Sequence, residues 1–238
     1  LSSEFIANES FNKLSQGIQF YPNMRYPENK IYYSLDANCN SEKRSNVLEA
    51  FYALSSETNL KFYESSNERG ISILCSNVSP KPEQKKYFIA GEGGPTEIIN
   101  ASKYYIILSS QVSLYRTEKC EKPVVAIHEI LHALGFDHMT EKNSIMYPVS
   151  DCNQVIDEKI KEEIKKIYSV SSIPDLAIAE LNANKTGRML NFEIAVDNYG
   201  LASSNSVSLK VYSAGGEIGD FDLQEISIGK RKIFTVSN

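Results

Sequence analysis

The residues best suited to chemistry lie in one segment, His128-Glu129-Ile130-Leu131-His132-Ala133-Leu134-Gly135-Phe136-Asp137-His138. The chain has 238 residues and 3 histidines, and this segment holds all of them. Helical positions four apart sit about 40° apart around the axis, so His128 and His132 project from one face, one turn apart. Two imidazoles so placed can hold one metal ion. Glu129 neighbours His128 without lying in line with both rings, so its carboxylate can stay off the metal and touch a water on it. A third ligand from the next helical turn would distort the site. Gly135 gives the backbone freedom to leave the helix sharply, and His138 returns after that turn. Three neutral imidazoles and an open position are the ligand set of a catalytic Zn2+ rather than a structural one. Zinc lowers the pKa of water from ~15.7 to ~7. Glu129 would take the proton and pass it to a leaving amine.

The neighbouring sequence supplies the elements that must hold these groups. Pro123 opens a helix over Val124–Leu134 and Gly135 ends it. The turn Ser144-Ile145-Met146-Tyr147-Pro148 precedes a second helix from about Asn153 to Tyr168, with Ile156, Ile160, Ile164 and Ile167 on one face. The charge run from Asp157 to Lys166 is its solvated side. Upstream, the first thirty residues read as irregular. Lys30–Leu35 reads as a strand, and Ser41–Ser55 as a helix capped by Asn40 or Ser41, with Val47, Leu48, Phe51 and Leu54 at helical spacing. Leu60–Tyr63 and Gly70–Cys75 read as short strands, and Ser79-Pro80-Lys81-Pro82 breaks the pattern. Gly91, Gly93, Gly94 and Pro95 suggest a glycine-rich loop leading into an edge strand at Glu97-Ile98-Ile99. Tyr104–Leu108 is apolar enough for a central strand.

After Tyr168 the pattern changes. Ser169–Ser172 and Pro174 read as a linker. Leu176–Ala179, Leu190–Val196, Val207–Tyr212 and Ile233–Val236 then alternate as strands, with turns at Asn198-Tyr199-Gly200 and Gly215-Gly216. That is an all-β module of sandwich type. The expected division is residues 1–172 and 173–238.

The apolar share of 42% and charged share of 23% are those of a folded globular chain. A net charge of −5 offers no basic footprint, so nucleic acid is not an expected partner. No apolar run approaches the roughly 18 residues of a membrane-spanning helix. Cys39, Cys75, Cys120 and Cys152 form no C-x-x-C pair, and an even, well-separated set fits two disulfides in an oxidising compartment. Three pairings are open; Cys39–Cys75 with Cys120–Cys152 is favoured because each then stays within one half of the first domain. The start, Leu1-Ser2-Ser3-Glu4, does not read as a signal peptide. Together these features fit a secreted or cell-surface protein.

His128 to His138 resembles the long zinc-binding signature of the metzincin metallopeptidases. Met146 stands where that family has its Met-turn methionine, and Met146-Tyr147-Pro148 is most similar to the matrixin branch. The resemblance implies an α+β catalytic domain with a twisted mixed sheet, an active-site helix and a C-terminal helix. It implies that His128, His132 and His138 ligate Zn2+, that Glu129 is the general base and acid, and that Met146 is a structural floor. Tyr147 and Pro148 would line the pocket after the scissile bond. Residues 91–109 resemble the strands above the cleft, so Gly93 and Gly94 would border an extended polypeptide substrate paired with the edge strand. Ser150 stands where matrixins often carry a tyrosine, no tyrosine lies two residues past Met146, and no acidic loop for structural Ca2+ is evident. Pro174-Asp175-Leu176 and Val196-Asp197-Asn198-Tyr199-Gly200 resemble the immunoglobulin-like CARDB domains of prokaryotic surface proteins. A full domain of that type has one or two further strands, and a surface partner for this module is one implication. The leading reading is a zinc endopeptidase. The alternative is a catalytically inactive metzincin-fold adhesion or binding protein with a structural zinc.

Overall fold

The computed structural model describes residues 17–81, 89–187 and 189–236. Much of the irregular leading segment, and Pro82, therefore lie outside the described residues. The chain forms two compact units: residues up to Ile98 with Ile107–Val170, and Ile99–Ile106 with the residues from Ser171 onward.

Six strands form one sheet, which apart from Ile99–Ile106 belongs to the first unit: β1 (Met24–Arg25), β2 (Lys30–Leu35), β3 (Lys61–Glu64), β4 (Gly70–Cys75), β5 (Gly91–Ala101) and β6 (Tyr104–Leu114). Along the order β1-β6-β4-β2-β3, β2 runs parallel to β3 and β4, and β4 runs parallel to β6. Parallel neighbours need a crossover, and α1 (Ser41–Glu57) supplies the one from β2 to β3. Asn40 starts that helix, its side chain accepting from Lys43 N at 2.9 Å. Thr58 ends it, its N–H and hydroxyl both donating to Leu54 O. Val47, Ala50, Phe51 and Leu54 form the buried face. Phe51 lies against Tyr33 and Phe62, at ring-centroid distances of 4.3 and 4.5 Å. β5 returns into β6 through Ser102, whose φ of 62° makes the tight turn.

Two helices complete the unit, α2 (Val124–Ala133) and α3 (Glu158–Ile167). Apart from Val125, every residue of α2 is buried, whereas α3 buries only Ile160, Ile164 and Ile167. The structure corrects the expected start of α3 at Asn153. Residues 153–157 are held instead by the preceding turn: Ile145 N donates to Val155 O, Val155 N to Asn143 O, and Gln154 Nε2 to Val149 O. Val155 thus uses both its backbone groups on the turn, and helical bonding begins only at the Asp157 carbonyl, which accepts from Ile160 N and Lys161 N. The glycines at 91–94 are also corrected, for they lie inside strand β5 rather than in a loop before it.

The second unit carries β7 (Leu176–Thr186), β8 (Met189–Asn198), β9 (Val207–Ser213), β10 (Gly216–Gln224) and β11 (Arg231–Val236). They form a three-stranded antiparallel sheet, β11-β8-β7, and a two-stranded one, β10-β9. Phe192, Ile194 and Val196 from β8 pack with Leu223 and Ile226, flanked by Val207, Leu209 and Val211 from β9. This is a two-layer β module. β10 went unread in the sequence because Glu217-Ile218-Gly219-Asp220 interrupts the alternation, and its register with β9 shifts at the same place.

Candidate metal centre

Helix α2 lies in the core because its sequence is apolar on all sides of the two histidines. Its first turn is capped from a distance: Glu118 Oε1 accepts from Val125 N at 2.9 Å. At the other end, the Ala133 carbonyl accepts from Ser110 Oγ of β6 at 2.6 Å, and Tyr26 OH donates to that same Ser110 at 2.6 Å. Gly135 then leaves the helix with φ +94°. Phe20 N donates to Gly135 O and Asp137 N to Ile18 O, so the exit pairs with the segment before β1. Phe20 also stacks on His132, centroids 5.7 Å apart.

This frame brings His128, His132 and His138 together, their ligand nitrogens all within 4.8 Å of one another. His132 Nε2 lies 3.0 Å from His128 Nε2 and 3.2 Å from His138 Nε2. The proton positions follow from the other side of each ring. His128 Nδ1 lies 2.6 Å from Ile145 O, and His132 Nδ1 lies 2.8 Å from Phe136 O. A carbonyl oxygen only accepts, so both Nδ1 atoms carry the proton and both Nε2 atoms present lone pairs. Burial keeps the rings neutral, pulling His128 down to about 4 and His132 down to about 3. Two buried lone pairs facing each other at 3.0 Å repel unless a cation lies between them. Tetrahedral ligands about 2.05 Å from one zinc ion would be about 3.3 Å apart, close to the observed separations. The donor set therefore fits a single divalent ion of the zinc type.

Glu129 is buried beside this cluster, 7% exposed. Burial pushes its carboxyl up to about 8, and the charge of Glu92 adds to the rise. Strand β5 lies directly on it: a Cβ on Gly93 would overlap the Glu129 carbonyl oxygen, and one on Gly91 would crowd the Glu129 side chain. Gly94, by contrast, has open space where a Cβ would go. Met146 is fully buried, one residue after the carbonyl that orients His128. Its own carbonyl accepts from Met139 N at 2.8 Å, and its N–H donates to Ser144 Oγ at 3.0 Å. Tyr147 is half-buried and Pro148 exposed. Disulfides join Cys39 to Cys75 and Cys120 to Cys152, and the second loop encloses the three histidines, Glu129 and Met146. Sequence reasoning missed Glu118, Phe20, Gly91 and the hydrogen bond that Tyr115 OH donates to Glu92 Oε2. Only Gly91 left a local signal, as one of several glycines in a short stretch.

A family model described as Matrixin matches residues 25–169, more than half of the chain. The chain belongs to the matrixin family. The mixed sheet and the three helices among the described residues fit the fold of a matrixin catalytic domain. Among solved structures the chain is similar to high choriolytic enzyme 1, a hatching-enzyme zinc protease from the medaka fish Oryzias latipes, at 18% identity over 47% of this chain. The chain spans 46% of that protein, less than half its length, and the TM-score is 0.33. No curated protein matches this matrixin.

Proposed function

We propose that this chain is a zinc-dependent endopeptidase whose catalytic domain spans residues 1–172. The observation that carries the reading is the convergence of unprotonated, carbonyl-oriented imidazole nitrogens at His128 and His132, with His138 completing the set. A zinc ion held by these three residues would supply Lewis-acid polarisation of a scissile carbonyl and of a water molecule near neutral pH. Glu129 accepts a proton at its carboxylate during attack and returns it to the leaving amine. The β5 edge at Gly93 and Gly94 receives an extended polypeptide by backbone pairing, and Tyr147 and Pro148 border the pocket beyond the cleaved bond. Met146 forms the floor. Two disulfides support action in an oxidising, extracellular setting. No helix among the described residues is long and apolar enough to cross a membrane. Residues 173–238 form an immunoglobulin-like module that tethers or orients the enzyme.

The test compares wild type with Glu129→Ala on unfolded casein, with metal content measured in both. Cleavage by wild type alone, one zinc per chain in each protein and loss of activity with o-phenanthroline are the expected results. If both proteins hold zinc and neither cleaves, the chain is instead a binding protein with a structural metal.

A further inference from the structure

The two glycines of β5 that meet Glu129 meet different parts of it. At Gly93 the neighbour is the helix backbone, whose carbonyl oxygen a side chain would overlap. At Gly91 the neighbour is the side chain itself: an added Cβ would stand 2.7 Å from Glu129 Cγ and 3.0 Å from Oε1. Comfortable carbon–carbon contact is roughly 3.5–4.0 Å, so one of the two must give way. The strand is poorly placed to do so. Tyr115 N donates to Ala90 O at 2.9 Å and Tyr115 OH donates to Glu92, which pins the residues on both sides of Gly91 to the end of β6. The nearest clashing atom is Glu129 Cγ, so relief requires a change of χ1, for which a helical side chain has a second ordinary well.

We propose that Gly91 is a positioning residue for Glu129: its bare backbone is the wall against which the carboxyl rests. A methyl group there turns the carboxyl away from its working direction without unfolding the protein. This rests on the reading of Glu129 as the proton-transferring group. It separates the two glycines by consequence, since Gly93→Ala must move the backbone and lose stability first.

The test uses the zinc-loaded full chain carrying Gly91→Ala. A crystal structure should show Glu129 in a different rotamer, with melting temperature and zinc content close to wild type. On a casein-derived peptide kcat should fall about tenfold or more with KM nearly unchanged, the pattern of a lost transition-state interaction. In a Glu129→Gln background the same substitution should cost nothing further. An unchanged Glu129 rotamer, or an equal fractional loss of kcat in the Gln background, overturns the proposal. If Gly91→Ala does not fold, Gly91→Ala/Glu129→Ala must fold, because the clashing partner is gone; failure of that double variant also overturns it. If wild type cleaves nothing, the endopeptidase reading fails, while the rotamer still decides whether Gly91 sets the carboxyl.

Discussion

Gly135 offers a perturbation whose size can be worked out from two separate structural terms. Its φ is +94°, a region that costs a residue with a Cβ about 1–2 kcal/mol. An added Cβ would also lie 2.7 Å from Met24 Cγ and 2.8 Å from its Sδ, and Met24 is fully buried. Forcing extra volume into a packed core costs about 1–3 kcal/mol. Gly135→Ala should therefore destabilise the catalytic unit by about 3 kcal/mol, a fall in Tm of roughly 6–12 °C. The packing share can be isolated. In a Met24→Ala background the added methyl finds space, so Gly135→Ala should cost only about 1–2 kcal/mol more. Calorimetry on the four proteins of this cycle gives the coupling. Because His138 follows three residues after Gly135, metal binding should suffer as well. Zinc should raise the Tm of Gly135→Ala by less than it raises wild type, since stabilisation follows RT ln(1 + [L]/Kd). Additive costs would refute the Met24 contact. A destabilised variant with an unchanged zinc increment would refute the view that this exit turn delivers His138.

Replacing Cys120 and Cys152 together by serine opens a loop with a sequence separation of 32; the chain-entropy model puts the loss at about 3.7 kcal/mol, which urea unfolding of the zinc-free protein should show, and an unchanged midpoint would contradict it. Lys43 is buried on α1 and its ammonium donates to Ser76 O at 2.8 Å, Leu114 O at 3.2 Å and Tyr115 O at 3.3 Å. Lys43→Met should leave those carbonyls short of donors at a cost of about 1–3 kcal/mol; a variant as stable as wild type in urea would show that they find other partners. In the β module, Arg231 bonds both carboxylate oxygens of Asp197, at 2.7 and 2.9 Å, and holds that carboxyl below its ordinary range. A lowered folded pKa gives stability that is present above about pH 4 and is lost as pH falls through the lowered value. Asp197→Asn should remove that acid-side loss, and identical acid-unfolding curves for the module's resonances would count against it.

Local pattern carried most of the elements. Alternation marked β8, β9 and β11, helical spacing marked α1, and Pro123 and Gly135 marked the ends of α2, because each signal lies within a few residues. The misreadings arise where distant groups decide. Residues 153–157 have helical periodicity, yet Val155 bonds through its N–H to Asn143 and through its carbonyl to Ile145, and the Gln154 side chain donates to Val149 O. Gly91, Gly93 and Gly94 look like a loop from composition, yet two of them are glycine because helix α2 leaves no room for a side chain. Glu118 caps α2 across the whole Cys120–Pro123 stretch, outside any local capping pattern.

What the sequence alone determined is the donor set: three histidines and one glutamate at spacings that helix geometry converts into a metal site, with glycine where the helix must stop. Those depend on covalent distance and helical period, which every chain shares. Tertiary structure decided which nitrogen of His128 and of His132 offers its lone pair, because the carbonyls of Ile145 and Phe136 fix the protons on Nδ1. It also decided where Glu129 rests, because only packing brings β5 against α2. Tautomer and carboxyl orientation are set by atoms far along the chain, and no spacing rule reaches that far.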